Sequence, residues 1–251
     1  MKRPFSLFFL LSVFVVRGQA PTLSVPVKEK DFIYYVSLNL AIQEGQLEGV
    51  QTVGEAKMQG NFGLGSEERL GSELVLLDGK AYGIPWNGKA VLLDDEVKLA
   101  FAAVKFFKAD TTILFQKAMS FQELQTVLGA WLPASSFVAI HIKTRFSDVA
   151  YRSFKKQERP FVTTKKAMAD TLHQKNLEAE MVGFYTPKGA QLLNSPSFHF
   201  HMVDKNRTTG GHVLGAHLDY AAIEVDYAQG LEIALPTPAQ LKTVDLTKPG
   251  E

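Results

Sequence analysis

The 251-residue chain has no cysteine, and this absence excludes several kinds of site. Without cysteine there is no disulfide, no thiolate-bound zinc and no cysteine nucleophile. An excess of charge is also missing, because 27 basic and 26 acidic side chains leave a net charge of +1. This balance gives no indication of a protein that binds nucleic acid or other polyanions. With 46% hydrophobic residues, the chain is long enough and apolar enough to bury a substantial core.

The first twenty residues resemble a targeting segment. Lys2 and Arg3 give it a positive start, and residues 5–16 form an apolar run that is too short to span a bilayer comfortably. Residues 18–20 supply small side chains for cleavage. We therefore expect residues 1–20 to be a signal peptide of an exported bacterial protein, periplasmic or secreted, with no membrane contact after cleavage. The alternative is an uncleaved membrane anchor.

Histidines at alternating positions give the clearest functional signal. In residues 198–203, aromatic and aliphatic side chains alternate with His199 and His201, which is typical of a β-strand. Residues two apart in a strand project from the same face. Both imidazoles are therefore predicted to point the same way.

The residues that follow predict a hairpin. Turn-forming side chains dominate residues 204–211, and a hairpin centred on residues 206–207 places His212 directly opposite His201. Zinc in catalytic sites commonly takes three protein ligands and leaves one position open. We therefore predict a metal site on this hairpin, although a slip of one residue would turn His212 to the other face. The predicted ligands are His199, His201 and His212.

The remaining three histidines are weaker candidates. His217 lies five residues after His212 and is predicted on the opposite strand face. His141 and His173 are isolated in the sequence, and we interpret them as structural or surface residues.

Elsewhere the pattern predicts a strand-rich fold with some helix. The residues Asp78-Gly79 between apolar runs indicate a tight hairpin, and residues 100–107 and 137–142 read as strands. Ser120, with Glu123 three positions later, is typical of a helix start. We expect the fold class to be α/β (α+β) and rich in strands.

Arg145 stands apart from the other basic residues of the segment 143–166, which we interpret as a solvated surface. It ends an apolar strand, where a charge is costly unless it meets a partner. A guanidinium in this position could bind a carboxylate through two parallel hydrogen bonds.

Seven short segments together resemble the alpha-acetolactate decarboxylase family. They occur in one order across roughly residues 30–245, and their combination is far more specific than any single motif. The segments are residues 60–66, 72–79, 143–145, 157–161, 182–187, 197–201 and 210–214.

The resemblance implies a zinc-dependent decarboxylase that converts acetolactate to acetoin and carbon dioxide. It also implies two subdomains, each built on a mixed or antiparallel sheet, which we place at residues 21–170 and 171–251. The partner is then a small 2-hydroxy-3-oxo acid and not a nucleic acid, with a homodimer left open.

The resemblance further implies the residues of the site. It assigns the zinc to the three histidines of the hairpin, and it adds a hydroxyl where the family usually has threonine and a glutamate from the C-terminal tail. The catalytic candidates are Glu73, Arg145, Ser66 and Glu251.

The reaction gives these residues their predicted roles. Loss of carbon dioxide leaves an electron pair that moves onto the neighbouring ketone oxygen, where a Lewis acid stabilises the enediolate. Glu73 is expected to transfer the proton that completes the reaction. Arg145 is expected to orient the substrate carboxylate, because an arginine stays protonated and is a poor acid.

Two other interpretations share the histidine pattern. One is a non-enzymatic β-protein that binds a metal or a small ligand, and it requires neither Arg145 nor Glu73 near the metal. The other is a cupin-like iron or manganese oxygenase.

Overall fold

The structure is a computed structural model that describes residues 31–242 and 244–247. The predicted signal peptide and Glu251 lie outside these residues. The strands are β1 Phe32–Val36, β2 Gln51–Thr52, β3 Phe62–Glu67, β4 Glu73–Leu77, β5 Lys80–Ile84, β6 Val91–Leu92, β7 Lys98–Lys105, β8 Thr111–Phe115, β9 Met119–Ser120, β10 Val138–Phe154, β11 Ala169–Thr186, β12 Ser197–Asp204, β13 Gly210–Tyr227 and β14 Gly230–Ala234. The helices are α1 Asn39–Gln43, α2 Val53–Lys57, α3 Phe121–Trp131 and α4 Pro238–Leu241.

The first sheet has eight strands in the order β14-β1-β7-β3-β4-β5-β6, with β2 also paired to β7. β1 and β14 run parallel, whereas β3, β4, β5 and β7 pair in antiparallel fashion. This sheet is therefore mixed, in agreement with the expectation of a mixed or antiparallel sheet in each subdomain.

The second sheet has six strands and is antiparallel. Its order is β10-β11-β12-β13-β8, β9 also pairs with β13, and β10 pairs with β13 as well as with β11. The four longest strands of this sheet therefore form a closed ring of pairings. Because of this ring, β12, which carries two of the predicted metal ligands, is held on both sides by β11 and β13.

Apolar side chains between the two sheets form the central core. Tyr35 and Leu64 contribute from the first sheet, and Val182, Phe184 and Val203 contribute from the second. Helix α2 packs on the other face of the first sheet, and α3 packs on the other face of the second. The order of layers is thus α2, first sheet, second sheet, α3, and a site between the sheets is shielded from solvent.

Two local sequence signals are confirmed. Asp78 and Gly79 have φ values of 52° and 73°, so both lie in the left-handed region that a type I′ turn requires between β4 and β5. The Ser120 hydroxyl accepts a hydrogen bond from the Glu123 N–H, and the Glu123 carboxylate accepts one from the Ser120 N–H. This capping box begins α3.

The predicted boundary between residues 170 and 171 does not coincide with the division of the strands between the two sheets. The second sheet already includes β10, which begins at Val138. The chain returns to the first sheet later, with β14. The reason is physical, because β14 pairs with β1 from the opposite end of the described chain. No local sequence pattern carries information about such a distant pairing. Within the described residues, no helix combines the length and the apolar character needed to cross a bilayer.

His141, which we interpreted as structural or surface, is buried and links three strands. Its Nε2 lies 2.8 Å from Glu180 Oε2 on β11, and its Nδ1 lies 2.8 Å from Glu224 Oε2 on β13. The ring also packs edge-on against Phe62 of the first sheet, with the centroids 5.7 Å apart. Hydrogen bonds from His141 and Arg207 lower the pKa of Glu180 to about 2. His141 therefore has a structural role, because it links strands of the second sheet to one another and packs against the first sheet.

We predict that Glu180→Gln destabilises the protein near neutral pH and that this loss fades in acid. The Glu180 pKa is lower in the folded protein than its ordinary value of 4.5, so its stabilisation is present above about 4.5. That stabilisation is lost as the pH falls towards about 2. Urea unfolding of both proteins over this range measures the effect. Glu178→Gln is the control, because Glu178 pairs with Lys205 in solvent and contributes little. An equal difference between native protein and Glu180→Gln at every pH contradicts the prediction.

Candidate active site

The carboxylate of Asp204 holds the hairpin between β12 and β13. It accepts hydrogen bonds from the backbone N–H groups of Asn206, Thr208 and Thr209, at 3.1, 2.6 and 2.8 Å. Arg207, at the tip, has a φ of 59°, in the left-handed region that tight hairpin turns use. Three backbone groups bound to one buried carboxylate fix the length of the turn and therefore the register of the two strands.

This register places three polar side chains in one row. His201 of β12 pairs directly with His212 of β13, and His212 pairs on its other side with Arg152 of β10. Opposed residues in neighbouring antiparallel strands project from the same face. His199 projects from the same face of the sheet, because it lies two residues before His201 on β12. The predicted pairing of His201 with His212 is confirmed.

The three imidazoles converge on one point. His199 Nε2 lies 3.2 Å from His201 Nε2 and 3.2 Å from His212 Nδ1, and the three nitrogens lie within 4.8 Å of one another. Two ligands bound to zinc at about 2.0–2.1 Å in tetrahedral geometry lie about 3.3–3.4 Å apart. The nitrogens are therefore spaced as ligands of a single ion, and this group could bind a metal.

Hydrogen bonds on the far side of two rings leave their Nε2 atoms available. His201 Nδ1 donates to the Leu74 carbonyl at 2.9 Å, and His199 Nδ1 donates to Asn194 Oδ1 at 2.7 Å. In both rings the proton therefore lies on Nδ1, and Nε2 keeps a lone pair.

The surroundings keep the imidazoles neutral. Burial lowers the pKa values of His199 and His212 well below 6.5 and that of His201 to about 4, and the positive charge of Arg152 acts in the same direction. A neutral imidazole is the form that binds a metal ion. The donor set, its spacing and its protonation state all fit a divalent cation.

Glu73 reaches the same point from the first sheet. It begins β4 and shares the strand face of Val75 and Leu77, which pack between the sheets. Glu73 is 5% exposed, its Oε2 lies 3.4 Å from His201 Nε2, and its Oε1 has no hydrogen-bond partner in the described part of the chain. Burial raises the pKa of Glu73 to about 7, although Arg152 opposes this shift.

A cavity of about 80 Å³ opens beside the histidines. Ser66, Glu73 and Arg152 line it together with the three imidazoles. Ser66 is the direct strand partner of Glu73, and its hydroxyl donates to the carbonyl groups of Glu67 and Ser72 at 3.1 and 3.5 Å. The structure thus brings five of the predicted site residues together, three from the second sheet and two from the first.

The prediction that Arg145 lies in the site is wrong, because the structure does not bring Arg145 to this cavity. Its side chain is 52% exposed, and its Nε donates to Asp219 Oδ2 at 2.6 Å. The charge is therefore stabilised by a surface carboxylate and by solvent. Arg152, seven positions later on β10, lines the cavity instead, and its guanidinium carbon lies 4.2 Å from the centre of the Phe154 ring.

The sequence interpretation missed Arg152 and Asn194 for different reasons. Arg152 faces His212 only through the register of β10 with β13, which a local pattern does not contain. Asn194 precedes the histidine strand in a turn-forming stretch, so the composition of that stretch indicated a loop and nothing more.

His173 and His217 have exposed positions on β11 and β13, and neither lines the cavity.

Comparisons with known proteins agree with this geometry. The family model for alpha-acetolactate decarboxylase matches residues 33–248. A curated alpha-acetolactate decarboxylase from Methanosarcina mazei is 32% identical over 86% of this chain and 76% of its own length. The corresponding protein from Brevibacillus brevis is 29% identical over 91% of this chain and 81% of its own length. The crystal structure of the Bacillus subtilis strain 168 enzyme has a TM-score of 0.83 at 27% identity and covers 86% of this chain and 94% of its own.

We predict that His212→Ala abolishes tight binding of a divalent metal, whereas His217→Ala leaves it intact. Both residues lie on β13, but only the first contributes a nitrogen to the convergent group. Metal content after dialysis against a weak chelator measures the difference. Equal metal content in the two variants contradicts the assignment of His212 as a ligand.

Proposed function

The chain belongs to the alpha-acetolactate decarboxylase family, and we propose that it converts acetolactate to acetoin and carbon dioxide with zinc held by its three clustered histidines. The observation that carries this proposal is the meeting of a metal-binding group, an arginine and a buried glutamate in one cavity. Each of the three supplies a function that the decarboxylation of a 2-hydroxy-3-oxo acid requires.

Zinc is the metal that we propose for this donor set. Three neutral imidazoles and no thiolate leave the ion its full double charge, and three protein ligands leave a position open for substrate oxygen. When bound, the ion supplies a Lewis acid for the ketone oxygen, onto which the electron pair moves as carbon dioxide leaves.

Arg152 is the residue that binds and orients the substrate carboxylate in this proposal. Its place next to His212 in the cross-strand row sets its guanidinium beside the metal ligands. A guanidinium binds a carboxylate through two parallel hydrogen bonds and so fixes its direction. The Phe154 ring below it supports one position of the side chain.

Glu73 is the residue that moves the proton. Its position opposite Ser66 and beside His201 places it at the edge of the cavity. Burial raises the pKa of Glu73 to about 7 in the metal-free protein. A carboxyl group at the edge of the cavity can accept a proton and return it to the substrate. After carbon dioxide leaves, the carbon that bore it takes a proton, and acetoin is formed.

Several predictions from the sequence remain proposals. Export through residues 1–20 and participation of the tail residue Glu251 concern segments outside the described residues. We likewise propose a homodimer and a catalytic contribution of the Ser66 hydroxyl.

The two other interpretations receive less support from this geometry. A passive metal-binding protein has no need of Arg152 and Glu73 in the same cavity, yet both line it. A cupin-like oxygenase is disfavoured by the match of residues 33–248 to a family of carboxy-lyases.

The direct test is acetoin formation from racemic acetolactate by the purified chain, as prepared, after chelation and after return of zinc. We expect activity that is lost on chelation and restored by zinc. Full activity in the chelated protein contradicts the metal requirement, and no activity in zinc-loaded protein contradicts the proposed reaction.

We predict that Arg152→Ala lowers kcat/KM by about a hundredfold or more, because the substrate carboxylate loses its charged partner. Arg145→Ala is the matched control on the same strand and is expected to keep nearly native kcat/KM, since Arg145 is exposed. Steady-state kinetics on both variants decides between the two arginines. A large loss in Arg145→Ala alone restores the assignment made from the sequence.

We predict that Glu73→Gln retains zinc and loses about 10²–10⁴-fold in kcat, the range that general acid–base catalysis contributes. The amide keeps the shape of the side chain but cannot deliver a proton in the same way. Zinc content and kcat are measured on one preparation, together with the enantiomer of acetoin. An unchanged rate and an unchanged enantiomer remove Glu73 from the mechanism.

A further inference from the structure

Asn194 lies directly behind one of the metal ligands. It precedes β12 in the segment that follows β11, and it is fully buried. Its Oδ1 accepts a hydrogen bond from His199 Nδ1 at 2.7 Å and a second one from the backbone N–H of Ser195 at 2.8 Å. One side-chain oxygen therefore ties the loop to the histidine.

The second of these bonds settles which atom of the amide faces the ring. The Ser195 N–H can only donate, so the atom that it contacts must be the carbonyl oxygen of Asn194. The same oxygen can only accept from His199, so the His199 proton lies on Nδ1. His199 Nε2 then carries the lone pair and points at His201 and His212.

The other end of the amide lies in a small polar cluster between the sheets. Tyr35 of β1 and Thr186 at the end of β11 are both buried, and the Tyr35 hydroxyl interacts with Thr186 and Asn194. The Tyr35 hydroxyl, Thr186 Oγ1 and Asn194 Nδ2 each lack a hydrogen bond of full geometry among the described residues. Polar atoms buried in an apolar core cost free energy when they lack hydrogen bonds.

We propose that Asn194 is a positioning residue that holds His199 in the one tautomer able to bind the metal and aims its Nε2 at the other two ligands. This inference rests on the proposed metal-dependent function. It goes beyond that function, because it makes the affinity for the metal depend on a neutral side chain that is not itself a ligand. Loss of a hydrogen-bond partner of this kind typically weakens metal binding by about 10–100-fold.

Two substitutions separate the hydrogen bond from the volume of the side chain. Asn194→Leu keeps the size but removes the acceptor, so the His199 N–H is left buried without a partner. Asn194→Asp keeps an oxygen where His199 and Ser195 need one. Thr144→Val is the control for stability, since it removes a buried hydrogen bond to the Tyr220 carbonyl at a residue that does not line the cavity.

The experiment is a competitive zinc titration of the full chain against a chromophoric chelator. We expect Asn194→Leu to bind zinc about 10–100-fold more weakly than the native protein. Asn194→Asp is expected to recover most of the affinity, and Thr144→Val to match the native protein. Native affinity in Asn194→Leu, or an equal loss in Thr144→Val, overturns the proposal.

A second measurement, ¹⁵N NMR of the histidine side chains, reads the tautomer without any metal. The metal-free native protein is expected to show His199 protonated on Nδ1, and Asn194→Leu is expected to show a mixture of tautomers or the other form. An unchanged single tautomer in Asn194→Leu overturns the proposal. If native protein binds no zinc, the proposed function fails instead, and this spectrum still decides the role of Asn194.

Discussion

The pairing of His201 with His212 is the constraint on which the rest of the site depends. Side chains in a strand alternate between faces, so a slip of one residue removes His212 from the metal ligands and Arg152 from their neighbourhood. Two features prevent this slip. Asp204 fixes the turn through three backbone hydrogen bonds, and the ring of four paired strands holds β12 and β13 on both sides.

The second constraint is burial between two sheets. Glu73, His199 and His201 sit where apolar side chains otherwise form the core, and the transfer of such groups from water is unfavourable. Hydrogen bonds to Leu74 and Asn194 offset part of this cost, and the proposed metal ion would satisfy the remaining lone pairs. The same burial shifts the pKa values in the useful directions, since it keeps the imidazoles neutral and brings Glu73 to about 7. The burial that makes these polar side chains costly for folding is thus also the cause of the pKa shifts that suit metal binding and proton transfer.

The sequence predicted those parts of the structure that depend on short-range rules. The His-x-His strand, the turn that returns to His212, the Asp78-Gly79 hairpin and the capping box at Ser120 were all predicted from neighbouring residues, and the structure confirms them. What local patterns could not supply was the register between distant strands. Arg145 was predicted in the site and Arg152 was not, and the division between the two sheets does not follow the predicted boundary, because β10 pairs with β13 and β1 pairs with β14 across long stretches of chain.

A crystal structure of the zinc-loaded full chain, with anomalous scattering recorded at the zinc edge, tests the proposed metal centre directly. We expect one zinc ion bound by His199 Nε2, His201 Nε2 and His212 Nδ1 at about 2.0–2.1 Å, with Arg152 and Glu73 facing it. An ion bound elsewhere, or one of the three histidines turned away from it, contradicts the proposed metal centre.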